Sequence, residues 1–152
     1  MRVAKITVQS PLGPLTLTEQ DGRVAALDWG ATSHDTETPL LAAAAQQLDA
    51  YFYCGLKFFD LPLAPAGSPF RRTVWDALRR IPYGHVRSYG DIARAVDSAP
   101  RAVGGACARN PIPIIIPCHR VVAGAGRLGG YTGQGGIETK RFLLQLEGVA
   151  LA

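Results

Sequence analysis

A chain of 152 residues that is 47% hydrophobic and 18% charged can bury a sizeable core, which excludes an intrinsically disordered protein. No apolar run approaches the roughly 20 residues of a membrane span, and the opening residues alternate like a strand instead of forming the apolar stretch of a signal peptide, so a cytoplasmic protein without a membrane partner is expected. The net charge of +4 hides an asymmetry. Residues 1–68 hold four Lys/Arg against seven acids, a net of −3, whereas residues 69–152 hold twelve against five, a net of +7. Eleven of those twelve cations are Arg, whose planar fork suits phosphate. A polyanion partner for the second half and a basic domain with no such partner both fit this charge pattern.

In chain order, Val3, Ile6 and Val8 alternate up to the turn signal Ser10-Pro11-Leu12-Gly13-Pro14. Leu15-Thr16-Leu17-Thr18, Asp21-Gly22 and Val24-Ala25-Ala26-Leu27 follow, which predicts a small antiparallel sheet with hairpin turns. Pro39 near the start and Gly55 past the end mark a helix over residues 39–53, with Leu40, Leu41, Ala44, Leu48, Tyr51 and Phe52 as apolar positions for the sheet. This first unit is α+β. The Pro-rich run from Leu61 to Pro69 reads as a linker, and the charge changes sign there, so the domains are expected at 1–66 and 67–152.

The second unit reads as helical. Phe70, Val74, Trp75 and Leu78 have helical spacing within residues 70–80. Ser88 and Asp91 form a capping box that opens a short helix through Val96, and Pro100-Arg101 opens another that stops before Asn110-Pro111. Two short helices joined by a tight turn are arranged like a helix-turn-helix. The second carries Gly104-Gly105, which costs roughly 1–2 kcal/mol in a helix. Close approach of another surface, or close packing on a neighbouring helix, would each justify that cost. The apolar run around Cys118 buries the cysteine, the seven glycines of residues 124–136 make a loop, and residues 137–147 make a last helix with Ile137, Phe142, Leu143, Leu144 and Leu146 on or near its buried side.

Three cysteines, Cys54, Cys107 and Cys118, cannot all pair, so free thiols in a reducing compartment are the simpler reading. The cysteines and the three histidines are too scattered for a zinc site, and no metal or cofactor is expected. A lone buried cysteine is usually a small hydrophobe. Its thiolate becomes a nucleophile only where a base or a cation raises the few per cent ionised at neutral pH.

The run Ile116-Pro117-Cys118-His119-Arg120-Val121-Val122 is similar to the active-site motif of the O6-alkylguanine-DNA alkyltransferases. Ile81-Pro82-Tyr83-Gly84, Ser88-Tyr89-Gly90, Arg101-Ala102-Val103-Gly104-Gly105-Ala106, Asn110-Pro111, Gly130-Tyr131 and Leu143-Leu144 with Glu147-Gly148 stand in that family's order, so the resemblance is strong over residues 69–149. It implies an RNase H-like first domain and a winged helix-turn-helix-like second one. It also implies irreversible transfer of an alkyl group from a flipped O6-alkylguanine to the protein, with O4-alkylthymine as a second candidate base. One event per molecule follows, on double-stranded DNA, through the minor groove, by a monomer.

The resemblance further implies roles. Cys118 is the acceptor, His119 its base through a water, Glu147 the group that orients the imidazole, and Asn110 the hinge of the active-site loop. Tyr89 crowds a phosphate and bonds the flipped base, and Arg101 enters the stack it leaves. Ala102, Gly104, Gly105, Arg109 and Arg120 belong to the DNA face. The carbonyls of Cys118 and Val121 accept from the guanine amino group, and Tyr131 and Thr132 close the pocket. Cys107 receives no role. A DNA-binding module that reads alkylated bases without repairing them, and a Cys-His hydrolase that turns over, are the alternatives.

Overall fold

Asp21 and Gly22 take φ of +50° and +82°, the pair of positive values that a two-residue hairpin of the primed type requires. In the computed structural model, which describes residues 2–124 and 126–150, that turn joins β2 (Leu15–Gln20) to β3 (Arg23–Trp29). With β1 (Val3–Val8) they form an antiparallel sheet in the order β1-β2-β3. Residue 125 of the predicted glycine-rich loop, and Met1, Leu151 and Ala152 of the predicted domains, lie outside the described residues. The chain divides into two compact units, Met1–Ala66 and Gly67–Ala152.

In the first unit, α1 (Pro39–Cys54) buries Leu41, Ala44, Leu48, Tyr51 and Phe52. Thr38 caps its first turn by accepting from the Leu41 N–H and donates to Glu19 Oε1 of β2, so one hydroxyl starts the helix and ties it to the sheet. Gly55, at φ +71°, closes the other end in the left-handed conformation that a side chain would resist. The Pro-rich run is less of a free linker than its composition predicts. The Val24 N–H donates to the Pro62 carbonyl and the Ala64 N–H to the Val24 carbonyl, so this stretch lies along the edge of β3.

In the second unit, α2 (Pro69–Arg79) is capped by Ser68 and buries Val74, Trp75, Ala77 and Leu78. Phe70, expected on the same stripe, is 37% exposed in the first turn of the helix. The predicted capping box is present: Ser88 Oγ accepts from the Asp91 N–H and Asp91 Oδ2 from the Ser88 N–H, starting α3 (Tyr89–Ala95). A turn with Asp97 at φ +55° leads to α4 (Pro100–Ala108). The Trp75 indole donates to the Ala106 carbonyl at 2.9 Å, which anchors the C-terminal turn of α4 on α2. The second unit also carries a two-residue parallel pairing that periodicity does not reveal, between β4 (Arg87–Ser88) and β5 (Val121–Val122). It fastens the start of α3 to the segment just after Cys118. The last helix, α5 (Ile137–Leu146), buries Thr139, Lys140, Leu143 and Leu144; Ile137, Phe142 and Leu146 are only partly covered.

Candidate active site

The segment before Cys118 is a tight loop closed by one side chain. Asn110 Oδ1 accepts from the Ile112 N–H at 2.9 Å and its amide donates to the Ile116 carbonyl at 2.8 Å, while the Ile116 N–H reaches back to the Ile112 carbonyl. Within it Ile114 sits at φ +74°, an uncommon position for a β-branched residue. Such a conformation costs on the order of 1–3 kcal/mol and persists only where surroundings over-determine it. Here the Asn110 bridge and the full burial of Ile112, Ile114 and Ile116 do so. The loop delivers Cys118 at the first position of a 3-10 turn, Cys118–Arg120, with the Cys118 N–H on the Ile116 carbonyl.

Cys118 is 8% exposed, and that remaining surface belongs to a pocket of about 240 Å³. Tyr89 contributes one wall from α3, Gly104, Cys107 and Ala108 another from α4, and Gly130, Tyr131 and Thr132 a third from the glycine-rich loop. The loop is held in place by close packing: a Cβ on Gly129, at φ +75°, would lie 3.0 Å from the Tyr89 ring. Thr132 Oγ1 also donates to the Ala108 carbonyl at 3.4 Å. Cys107, to which the sequence assigns nothing, therefore shares the pocket with Cys118. Burial pushes the Cys107 thiol up to about 12, so it rests neutral.

The side chains following Cys118 turn into the core. His119 is fully buried and its Nε2 lies 2.7 Å from Glu147 Oε2. Burial lowers the imidazole's affinity for a proton more than Glu147 raises it, so His119 is neutral at pH 7, with its proton on Nε2 toward the carboxylate. Nδ1 is then a basic lone pair, buried and without a hydrogen-bond partner among the described residues. Burial would raise the Glu147 carboxyl, but hydrogen bonds from His119 and Arg120 and the charge of Arg120 outweigh it and hold the group at about 2. Cys118 itself is pushed up by burial, against the opposing effects of the Asn110 amide and the Lys140 cation, so it rests as a thiol.

Arg120 departs from expectation. Its Nε and Nη2 bind the two oxygens of Glu147 at 2.8 and 3.1 Å, and Nη1 donates to the Ile81 carbonyl at 2.7 Å. At 6% exposure it has no donor face for DNA; the guanidinium is spent inside, where it braces the carboxylate that holds His119. The other expected DNA-face positions lie on α4 and its end. Arg101 and Arg109 are exposed, Ala102 is partly exposed, and Gly105 is exposed with nothing within 4 Å of where its Cβ would stand. Internal helix packing therefore does not explain Gly105. Gly104 faces Tyr89 instead, 4.0 Å from its ring.

One residue in the site escapes the sequence reading. Lys140 of α5 is fully buried, and its Nζ donates to the Val121 carbonyl at 2.6 Å and the Gly130 carbonyl at 3.0 Å. A signal was available: Lys140, Leu143, Leu144 and Glu147 follow the i, i+3, i+4, i+7 spacing of one helix face, so a lysine stands on the buried stripe. The Val121 carbonyl keeps a second lone pair for another donor, as does that of Cys118, which accepts from the Val121 N–H.

Comparison with known proteins agrees with this layout. Residues 3–65 match the family model described as 6-O-methylguanine DNA methyltransferase, ribonuclease-like domain, and residues 69–149 match its DNA binding domain. The chain belongs to the 6-O-methylguanine DNA methyltransferase family. Among members of that family, the constitutive methylated-DNA–protein-cysteine methyltransferase of Bacillus subtilis (strain 168) is 47% identical over 95% of this chain and 94% of its own. Among solved structures, the Mycobacterium tuberculosis OGT in complex with DNA is 45% identical, with a TM-score of 0.82 over 93% of this chain and 90% of that one. The O6-methylguanine-DNA methyltransferase of Pyrococcus kodakaraensis KOD1 is 27% identical, with a TM-score of 0.60 over 97% of this chain.

Proposed function

We propose that this methyltransferase-family protein repairs DNA by moving the alkyl group of an O6-alkylguanine onto Sγ of Cys118, once per molecule. The observation that carries the proposal is that the buried thiol of Cys118 opens into a pocket walled by α3, α4 and the glycine-rich loop, beside a buried His119–Glu147 pair. A base-sized pocket recessed behind a helix-turn-helix suits a substrate that must leave the stack first, and extrusion costs a few kcal/mol.

The chemistry balances without a cofactor. His119 Nδ1, through a water, takes the thiol proton while Glu147 stabilises the imidazolium that forms. The thiolate attacks the alkyl carbon, an S–C bond forms, and the C–O6 bond breaks with its electron pair left on guanine. The guanine anion then recovers the proton that left Cys118. The thioether has no base in the site that can reverse it, so the reaction stops after one event. The free lone pairs on the Cys118 and Val121 carbonyls are positioned to accept from the guanine amino group.

DNA recognition falls to the small, exposed surface of α4. Ala102 and Gly105 let the helix lie close in the minor groove, Arg101 fills the gap left by the extruded base, and Arg109 meets the backbone. Tyr89, at the head of α3, bonds the flipped base; Gly104 leaves room beside it, and Tyr131 and Thr132 close over it. Asn110 holds the loop that presents the thiol. One cytoplasmic monomer per lesion is the working unit. Duplex DNA carrying O6-[³H]methylguanine tests this: label should appear on the Cys118 peptide at one per protein molecule. Cys118→Ala should take up none and still bind the duplex. More than one product per molecule, or label retained by Cys118→Ala, would sink the assignment.

A further inference from the structure

We propose that Lys140 is a positioning residue of the transfer step: its buried ammonium pins the Val121 carbonyl to the Gly130 loop and serves as the cation against which Cys118 ionises. The inference rests on the alkyl-transfer reading of Cys118.

A buried ammonium loses several kcal/mol of hydration, which proteins normally recover by pairing it with a carboxylate. Lys140 is 0% exposed and makes no ion pair among the described residues. The carboxylate within the same buried region, Glu147, is occupied by His119 and Arg120. Two Lys140 donors go to neutral carbonyls, and the ammonium lies 5.8 Å from the centre of the Tyr89 ring. A cation held this way lacks a counter-charge until something near it becomes an anion.

The candidates are few. From the elements packed around it come Cys118 on the 3-10 turn, Cys107 on α4, Tyr89 on α3 and Tyr131 on the loop, with neutral His119 and the closed Arg120–Glu147 pair behind. Glu138 and Arg141 on α5 itself bond each other in solvent. Cys107 and Tyr89 are both pushed up to about 12, mainly by burial, and burial raises Tyr131 as well, so none of these ionises near neutrality. Cys118 is left. Its coupling with Lys140 runs both ways: the cation favours the thiolate, and the thiolate opposes the burial that brings Lys140 down to about 8. The Val121 N–H bonds the Cys118 carbonyl, so the turn that carries the thiol and the carbonyl that carries Lys140 are one rigid unit.

The decisive measurement needs no DNA. The rate of Cys118 alkylation by iodoacetamide, read on its own peptide, is followed against pH in wild type and Lys140→Met. The profile should move up by at least one pH unit, making the variant at least tenfold slower at pH 7 and equal at high pH. A purely structural role would slow it by the same factor at every pH; that result, or an unmoved profile, overturns the proposal. Should Lys140→Met not fold, Cys118→Ser gives the reciprocal test. The Lys140 ¹³Cε resonance should titrate at lower pH in Cys118→Ser than in wild type, and an equal midpoint overturns the proposal. If wild type fails to take label from alkylated DNA, the alkyl-transfer reading fails, and the thiol profile still decides the coupling by itself.

Discussion

His119 Nε2 and Glu147 Oε2 meet at 2.7 Å with both side chains excluded from solvent, and the same carboxylate receives two further donors from Arg120. The acid thus fixes the imidazole's tautomer and is itself fixed, which leaves Nδ1 as the only basic position of the ring.

Glu147→Gln should therefore damage stability and chemistry together. It leaves a buried guanidinium without its counter-charge, a loss of about 3–5 kcal/mol in urea unfolding at pH 7. The pH profile carries a sign. Glu147 is held at about 2 against an ordinary 4.5, so the unfolded chain takes its proton first, and the stability it contributes is complete above about 4.5 and lost as pH falls toward 2. His119, lowered from 6.5, adds a loss in the same direction that begins as pH falls through 6.5. The variant should lack the component between about 4.5 and 2. A wild type equally stable at pH 7 and pH 3 would contradict this.

Arg120 and Arg101 should separate cleanly. Arg120→Ala should cost about 3–5 kcal/mol of stability and leave the salt dependence of DNA binding unchanged. Arg101→Ala, at an exposed position, should change stability by no more than about 0.5 kcal/mol and reduce the slope of log affinity against log salt by about 1. Reaction of Arg101→Ala with a free O6-alkylguanine base should match wild type.

Gly105→Leu should stabilise the protein and impair it. The site is open, so leucine removes a helix penalty of about 0.8–1 kcal/mol without a clash. Thermal unfolding should shift upward, while transfer from duplex DNA should slow at least tenfold. Full activity on duplex would show that α4 does not enter the groove closely there.

Asn110→Ala should free the loop that holds Cys118. The Ile112 N–H and Ile116 carbonyl lose their partners, costing about 1–3 kcal/mol. With the bridge gone, Ile114 can leave its positive φ, and the thiol loses its position. Transfer rate should fall more than DNA affinity, as separate rate and binding measurements would show.

Local chemistry is legible wherever a residue acts on its neighbours in sequence. Asp21-Gly22 names its own hairpin, Ser88 and Asp91 name the cap of α3, and Pro117-Cys118-His119-Arg120 names the thiol and its companions. The pairing of β4 with β5 was not legible, since two residues carry no periodicity and the partners lie more than thirty positions apart. The role of Arg120 is not legible either, because a sequence shows a charge but not the direction of its side chain. An arginine beside the active cysteine of a basic domain suggests DNA, and only the buried Glu147 reveals where its donors go.

Cys118 shows the division most plainly. Residue order places a cysteine among apolar residues with a histidine beside it, in the pattern of a known motif. Tertiary structure alone decided the rest, because burial and long-range pairing set proton affinities. It brought Glu147 from 28 positions away to orient His119, turned Cys107 into the same pocket, and placed the Lys140 ammonium, bonded to two carbonyls, 5.8 Å from the centre of the Tyr89 ring.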